Sequence, residues 1–237
     1  QLGSPFPLLA ACGARTKTIE LGTAVIDMRY ENPLYMAEDA AAADLLAGGR
    51  LQLGISRGSP EQVIDGWRYF GYEPAEGETD ADMARRHAQV FLDVIQGEGF
   101  AEPNPRPMFP TPPGLLPLEP YAPGLRERIW WGAGGAQTAA WAAEQGMNLM
   151  SSTLLTEDTG VLFDQLQAEQ LSMFREAWAK AGWKREPRIS VSRSVIPIVD
   201  DIDRRFFGHR DGGEEDQVGY IDVALSRFGK SYTGEPA

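Results

Sequence analysis

Two periods of apolar residues alternate along this chain. In Arg50–Ile55 the apolar positions are Leu51, Leu53 and Ile55, the every-other-residue pattern of a buried strand. Ile19–Ile26, with its β-branched residues, Arg128–Gly132 and Met147–Ser152 read as strands too, and Arg188–Val199 as a last long one. Between them the apolar spacing widens to three and four. Asp80–Gln96 carries Met83, His87, Val90, Phe91 and Val94 on one face, and Asp164–Ala181 is built on Leu166, Leu171, Phe174 and Trp178. Ser4 as N-cap with Pro5 in the first turn opens a helix ending near Arg15–Thr16. Asn32-Pro33 opens another over Leu34–Leu46, closed by Gly48-Gly49, and a short helix follows over Ala139–Gln145. This alternation predicts an α/β fold with parallel strands and right-handed crossovers. Five such strands fit a doubly wound sheet as well as part of an eight-stranded barrel.

Two stretches interrupt the pattern. Gln62–Gly71, with Trp67, Tyr69 and Phe70, reads as a loop or lid beside the end of the Arg50–Ile55 strand. Glu102–Pro123 holds nine prolines, which remove backbone donors and fix φ, so it is an irregular connection. Ala40–Ala43 is free of bulk and suits close packing of one helix on another. Beyond Asp200 the chain is charged and glycine-rich, and the acidic run 211–216 lacks the spacing of a calcium loop.

Charge narrows the partners. The net charge of -12 argues against nucleic acid and against an anionic membrane surface, while leaving room for a small anion held by a local arginine. Cys12 is the single cysteine, which excludes an intrachain disulfide and fits a reducing cytoplasm. With two histidines, His87 and His209, the chain offers no metal-ligand spacing, and His87 falls within a helical apolar series as a packing residue. No apolar run reaches transmembrane length, and no signal-peptide pattern is legible.

Chemistry is expected at strand ends, where α/β proteins hold polar side chains rigidly. Ser56 and Arg57 follow the Arg50–Ile55 strand and offer a hydroxyl and a permanent cation. Arg57 suits an anionic ligand, or else pairs with a nearby carboxylate. Gly134 and Gly135 stand between a strand and a helix, with Thr138 in the first turn. Such a turn lets backbone N–H groups and the helix dipole approach an anion.

The segments Ser4-Pro5-Phe6-Pro7-Leu8-Leu9, Leu21-Gly22-Thr23-Ala24-Val25, Asn32-Pro33-Leu34, Ala37-Glu38-Asp39, Gly48-Gly49-Arg50, Leu53-Gly54-Ile55-Ser56-Arg57-Gly58 and Trp131-Gly132-Ala133-Gly134, with Thr138 and Trp141-Ala142-Ala143, resemble the bacterial luciferase-like flavin-dependent monooxygenases in order and spacing. The likeness is good over about positions 1 to 152 and looser beyond. It implies a (β/α)8 TIM barrel carrying FMN at the C-terminal strand ends. Residues 1–237 would form a single partial barrel domain with counterparts of strands three to seven, and none of strands one, two and eight.

The resemblance also implies site residues. Arg57 matches the arginine that contacts the flavin phosphate, and Gly134, Gly135 and Thr138 match the phosphate-binding turn. Ala24 and Val25 match a pair joined by a non-proline cis peptide behind the isoalloxazine ring. Ser56 stands where bacterial luciferase has a reactive cysteine against the flavin; a serine supplies no thiolate, so it is not a nucleophile. No catalytic residue is assigned. The implied activity is oxygenation of a small organic substrate with O2 and reduced FMN from a separate flavin reductase, in a cytoplasmic homodimer. The alternatives are a deazaflavin-dependent dehydrogenase of the same superfamily and a non-catalytic flavin-binding fragment.

Overall fold

The computed structural model describes residues 3–58, 63–152, 161, 163–191, 195–207 and 232–234. The chain divides into two compact units, Gln1–Gly132 and Ala133–Ala237.

The first unit opens with α1 (Phe6–Arg15), followed by β1 (Leu21–Asp27), α2 (Pro33–Leu46) and β2 (Leu51–Ser56). A short 3-10 turn (Gly66–Phe70), α3 (Asp80–Val94) and β3 (Ile129–Ala133) follow. β1 pairs with β2 and β2 with β3, all parallel, with Leu53 opposite both Thr23 and Ile129. The register of β1 against β2 shifts between Thr23 and Ile26, the stretch containing Ala24 and Val25. Leu51, Leu53, Ile55 and Ile129 are fully buried in the centre of this unit.

Local chemistry sets the helix starts. Asn32 Oδ1 accepts from the Leu34 and Tyr35 N–H groups, satisfying donors that a helix start leaves without partners. Thr79 and Asp82 form a reciprocal capping box at the start of α3. At α1 the expected Ser4 cap is replaced: Pro5 is the N-cap, without a side-chain bond, because proline already fixes the entry φ. The small residues of α2 are used within the unit. Ala40, Ala41 and Ala43 are buried where α1 and α3 pack on α2, and a Cβ on Gly13 of α1 would fall 2.7 Å from that of Ala47.

At the N-terminal ends of these strands, buried Asp44 accepts from the Leu51 N–H at 3.0 Å and from Arg128 Nη2 at 2.6 Å. Arg50 ties the α1–β1 connection through Gly13, Thr16 and Ile19. Both arginines are scaffold groups.

The second unit holds α4 (Ala136–Glu144), β4 (Asn148–Ser151), α5 (Phe163–Ala181), β5 (Ile189–Val191), β6 (Val195–Pro197), α6 (Asp201–Phe207) and β7 (Tyr232–Gly234). β4 and β5 are parallel, as are β6 and β7. The long strand expected over Arg188–Val199 is therefore two short ones serving different partners. Ile189–Val191 registers with Leu149–Ser151, and Val195–Pro197 with Tyr232–Gly234. The polar run between them offered no continuous apolar face to one sheet, and Pro197 brings no donor. Ser192, Arg193 and Ser194, like the acidic run 211–216, lie outside the described residues.

Candidate functional site

The C-terminal ends of β1, β2 and β3 bring two of the expected positions, Val25 and Ser56, together in the first unit. The Ala24–Val25 peptide bond is cis, as the resemblance implies. Val25 is 37% exposed, and Ser56, at the end of β2, is 5% exposed. Gly132 in β3 lies between them. A Cβ there would sit 3.1 Å from Val25 Cγ1 and 3.3 Å from the Ser56 Cβ, tighter than ordinary carbon contact. The absent side chain lets Val25 and Ser56 close over the strand, leaving one apolar wall with a hydroxyl at its rim.

Ser56 is committed to a backbone task. Its Oγ accepts the Gly58 N–H at 2.7 Å, closing a turn around Arg57. Gly58 has φ +86°, where a side chain is unfavourable, and a Cβ there would overlap the Asp27 carboxylate. Arg57 is thus fixed at both neighbours while its own side chain is exposed. Among the described residues it has no hydrogen-bond or ion-pair partner, so the alternative of a structural ion pair has no counterpart there.

Behind this turn stands a buried ionic cluster that the sequence pattern does not single out. Arg29 donates from Nε to Asp27 Oδ1 at 3.0 Å and from Nη2 to Asp27 Oδ2 at 2.6 Å. Its Nη1 donates to Asp80 Oδ2 at 2.9 Å, and its guanidinium lies 5.0 Å from the centre of the Trp67 ring. Bidentate pairing of a planar guanidinium with a carboxylate is strong and orients both groups. The cluster joins the end of β1 to the first turn of α3 and to the 3-10 turn. The one available signal was an arginine and an aspartate flanking Met28 just past a strand.

Other titratable groups collect beside it. Burial raises the Glu31 carboxyl above its ordinary value, with Asp27 and then Asp39 adding to the shift. Burial, then Glu31, raises Tyr72, against a lowering hydrogen bond with Asn32. His87 is buried with Nδ1 2.8 Å from the Met28 carbonyl and the Tyr72 ring edge-on at 5.2 Å. Burial lowers its pKa, so it packs as a neutral imidazole, in keeping with its place in an apolar helical series.

In the second unit, Gly135 is the extended N-cap of α4 and supplies no side-chain cap. The helix starts earlier than the apolar spacing suggests, because Ala136 and Gln137 are good helix formers once Gly135 has taken the cap. The first-turn N–H groups of Ala136, Gln137 and Thr138 receive no bond from the cap residue, and a Cβ on Gly135 would meet open space. Gly134 and Thr138 are half-buried beside it. Nearby, buried Ser151 donates to Gln170 and accepts from Gln167 at 2.7 Å, while Gln170 Nε2 donates to the Ala133 carbonyl at 3.1 Å. That chain of bonds fastens α5 to the strand ends, a role legible only once the helix is folded. Among the described residues, no group of His, Cys, Asp and Glu could hold a metal ion, and no helix is long and apolar enough to cross a membrane.

Comparison with known proteins agrees with this geometry. The family model described as luciferase-like monooxygenase matches residues 2–205. The chain is 34% identical over 94 residues to 4-hydroxyprotoasukamycin monooxygenase of Streptomyces nodosus subsp. asukaensis, covering 40% of this chain and 23% of that protein. It is 26% identical over 218 residues to the alkanal monooxygenase alpha chain of Photorhabdus luminescens, covering 88% of this chain and 55% of that one. Among solved structures it is similar to the oxygenating constituent of 3,6-diketocamphane monooxygenase from the CAM plasmid of Pseudomonas putida, in complex with FMN. There the TM-score is 0.57 at 20% identity, over 82% of this chain and 53% of that one. The chain thus spans from about a quarter to just over half the length of these relatives. Its parallel α/β fold is of the luciferase-like β/α-barrel type, and the chain belongs to the luciferase-like monooxygenase family.

Proposed function

We propose that this chain is the flavin-holding part of an FMN-dependent monooxygenase that oxygenates a small organic substrate with O2. The observation that carries the reading is Arg57: an exposed cation, fixed by its neighbours, without a partner among the described residues, at the end of a parallel strand. A phosphate needs such a cation and free backbone donors, and an isoalloxazine ring needs an apolar wall. The residues present fit that group. In the first unit Arg57 would take the phosphate, while Ala24, Val25 and the rim of Ser56 would face the ring. In the second unit Gly134, Gly135 and Thr138 form an open helix start suited by itself to an anion. Bound reduced flavin would supply the oxygen chemistry, and these residues would bind it, orient it and exclude water.

Ser56 contributes differently from a thiol. Its oxygen already accepts from Gly58, so its proton remains free to donate to a ligand. Reduced FMN would come from a separate flavin reductase, in line with an oxygenating constituent among the structural relatives. The apolar strip Leu34, Tyr35, Leu45 and Leu46, exposed on α2, supports a homodimer, which sedimentation velocity at high concentration tests. A cytoplasmic site of action completes the proposal and accords with one cysteine, Cys12.

Anaerobic titration with reduced FMN, beside one with reduced deazaflavin, tests the reading, followed by admission of air with an oxygen electrode in place. Saturable FMN binding, weakened about 10- to 100-fold by Arg57→Ala, is expected from loss of a charge-assisted contact. Preference for deazaflavin would replace the monooxygenase by a dehydrogenase. Binding of neither would refute both.

A further inference from the structure

Arg57 stands one residue from a carboxylate that does not take it. Asp27 is the register partner of Ser56, and its carboxylate lies against Gly58. Left to itself, an aspartate at that place would be the natural counter-ion of Arg57 and would repel any incoming anion. It is not left to itself. The Arg29 guanidinium engages both of its oxygens, and the Arg29 backbone N–H adds a further bond at 3.0 Å to Oδ1. Arg29 cannot easily leave. Its side chain is 7% exposed, it holds Asp80 at 2.9 Å, and it is stacked at Trp67. Asp80 sits in the first turn of α3, where the helix dipole favours a negative charge and reduces its demand on Arg29.

We propose that Arg29 is a positioning residue for Arg57. By occupying both oxygens of Asp27 it prevents that carboxylate from capturing Arg57, and so leaves the Arg57 guanidinium available to an anionic ligand. Under the reading above, on which this inference rests, the ligand is the flavin phosphate. Gly58 is the third part of the device, because its missing side chain lets the turn lie directly on the Asp27–Arg29 pair.

FMN and riboflavin differ only by the phosphate, so the ratio of their dissociation constants isolates the term in question. Both are measured by quenching of flavin fluorescence on the full chain, with circular dichroism of each variant as the check of folding. Wild type is expected to prefer FMN by about tenfold or more, and Arg57→Ala to abolish the preference. Arg29→Met should reduce it about tenfold, because Asp27 then pairs with Arg57. The double variant Arg29→Met with Asp27→Asn should recover it to within about threefold of wild type, since the carboxylate against Gly58 no longer competes and Asp80 stays in the first turn of α3. Asp27→Asn alone, which keeps Arg29, should retain or increase the preference even if Arg29→Met fails to fold. Equal loss of both flavins in Asp27→Asn or Arg29→Met without rescue would mean that the cluster only supports the fold, and overturns the inference. So does an undiminished preference in folded Arg29→Met. A wild type with no preference, or one that Arg57→Ala leaves intact, removes the phosphate assignment of Arg57 itself, and the inference with it.

Discussion

Gly132→Ala probes the wall formed by Val25 and Ser56 most directly. The added methyl would lie 3.1 Å from Val25 Cγ1, 3.7 Å from Val25 Cγ2 and 3.3 Å from the Ser56 Cβ. Optimal carbon separations are about 3.5 to 4.0 Å, so each of the two short contacts must open by a few tenths of an ångström. Ser56 cannot supply the movement, because it is buried and its hydroxyl is bonded to Gly58. Val25 can, being 37% exposed. Overpacking of this kind costs about 1 to 3 kcal/mol, and relief on the open side puts the expected value near 1. For a chain of this size that lowers Tm by about 2 to 4 °C. Displacement of Val25 toward the proposed flavin should weaken FMN and riboflavin alike, by about tenfold for each 1.4 kcal/mol of lost contact. Thermal unfolding followed by circular dichroism gives the first quantity and fluorescence quenching the second. Unchanged Tm together with unchanged affinity would show that Val25 and Ser56 do not close over Gly132. A fall in FMN affinity alone would mean that the methyl disturbs the phosphate end instead of the ring.

Asp44→Ala removes both the cap on Leu51 and the partner of Arg128; loss of such a pair costs about 3 kcal/mol, expected as a Tm lower by roughly 10 °C in the same scan. Gly58→Ala should weaken FMN far more than riboflavin, since the new Cβ displaces the Asp27 carboxylate beside Arg57; equal effects on the two flavins would refute that placement. His87 has its folded pKa lowered from an ordinary 6.5, so the unfolded chain binds the extra proton. Stability should therefore be fully present above that value and fall as pH drops through it, with His87→Asn flattening the slope in urea titrations. Glu31 has the opposite sign. Its folded pKa is raised above 4.5, so stability falls as pH rises through the shifted value, and Glu31→Gln should be more stable than wild type at neutral pH.

Much of this molecule is legible from residue order because its local signals agree with one another. Leu51, Leu53 and Ile55 alternate because they share the one strand face that packs most deeply, and Asn32-Pro33 starts α2 because a side-chain acceptor and a fixed φ are what a first turn needs. Ser56 and Arg57 at a strand end and the Gly134–Gly135 turn are legible for the same reason, since glycines and polar residues at strand ends carry their own signature, whereas the Ser56–Gly58 bond that closes a turn around Arg57 appears only in the structure. What escaped was decided by contacts distant in sequence. Arg29 meets Asp80 across a separation of 51 residues, and Ser151 meets Gln170 across 19. No period or spacing encodes such partners. The failure over Arg188–Val199 is of the same kind, since only the pairing register shows that Ile189 and Val195 belong to different sheets.

The turn at Gly58 separates two design problems. Everything that fixes Arg57 in the first unit lies at or before that glycine or within the Arg29 cluster: the Ser56 hydroxyl, the Asp27 carboxylate and Arg29. Past that glycine the anchor draws on two more residues alone, Trp67 and Asp80, through their contacts with Arg29. Sequence after residue 58 can be exchanged to admit a different substrate provided that Trp67 and Asp80, which hold Arg29, are kept, and the cation then keeps its address. Loop grafting at this junction that spares Trp67 and Asp80 should alter selectivity while the affinity for FMN stays constant, which makes it a natural splice point for engineered variants of this chain.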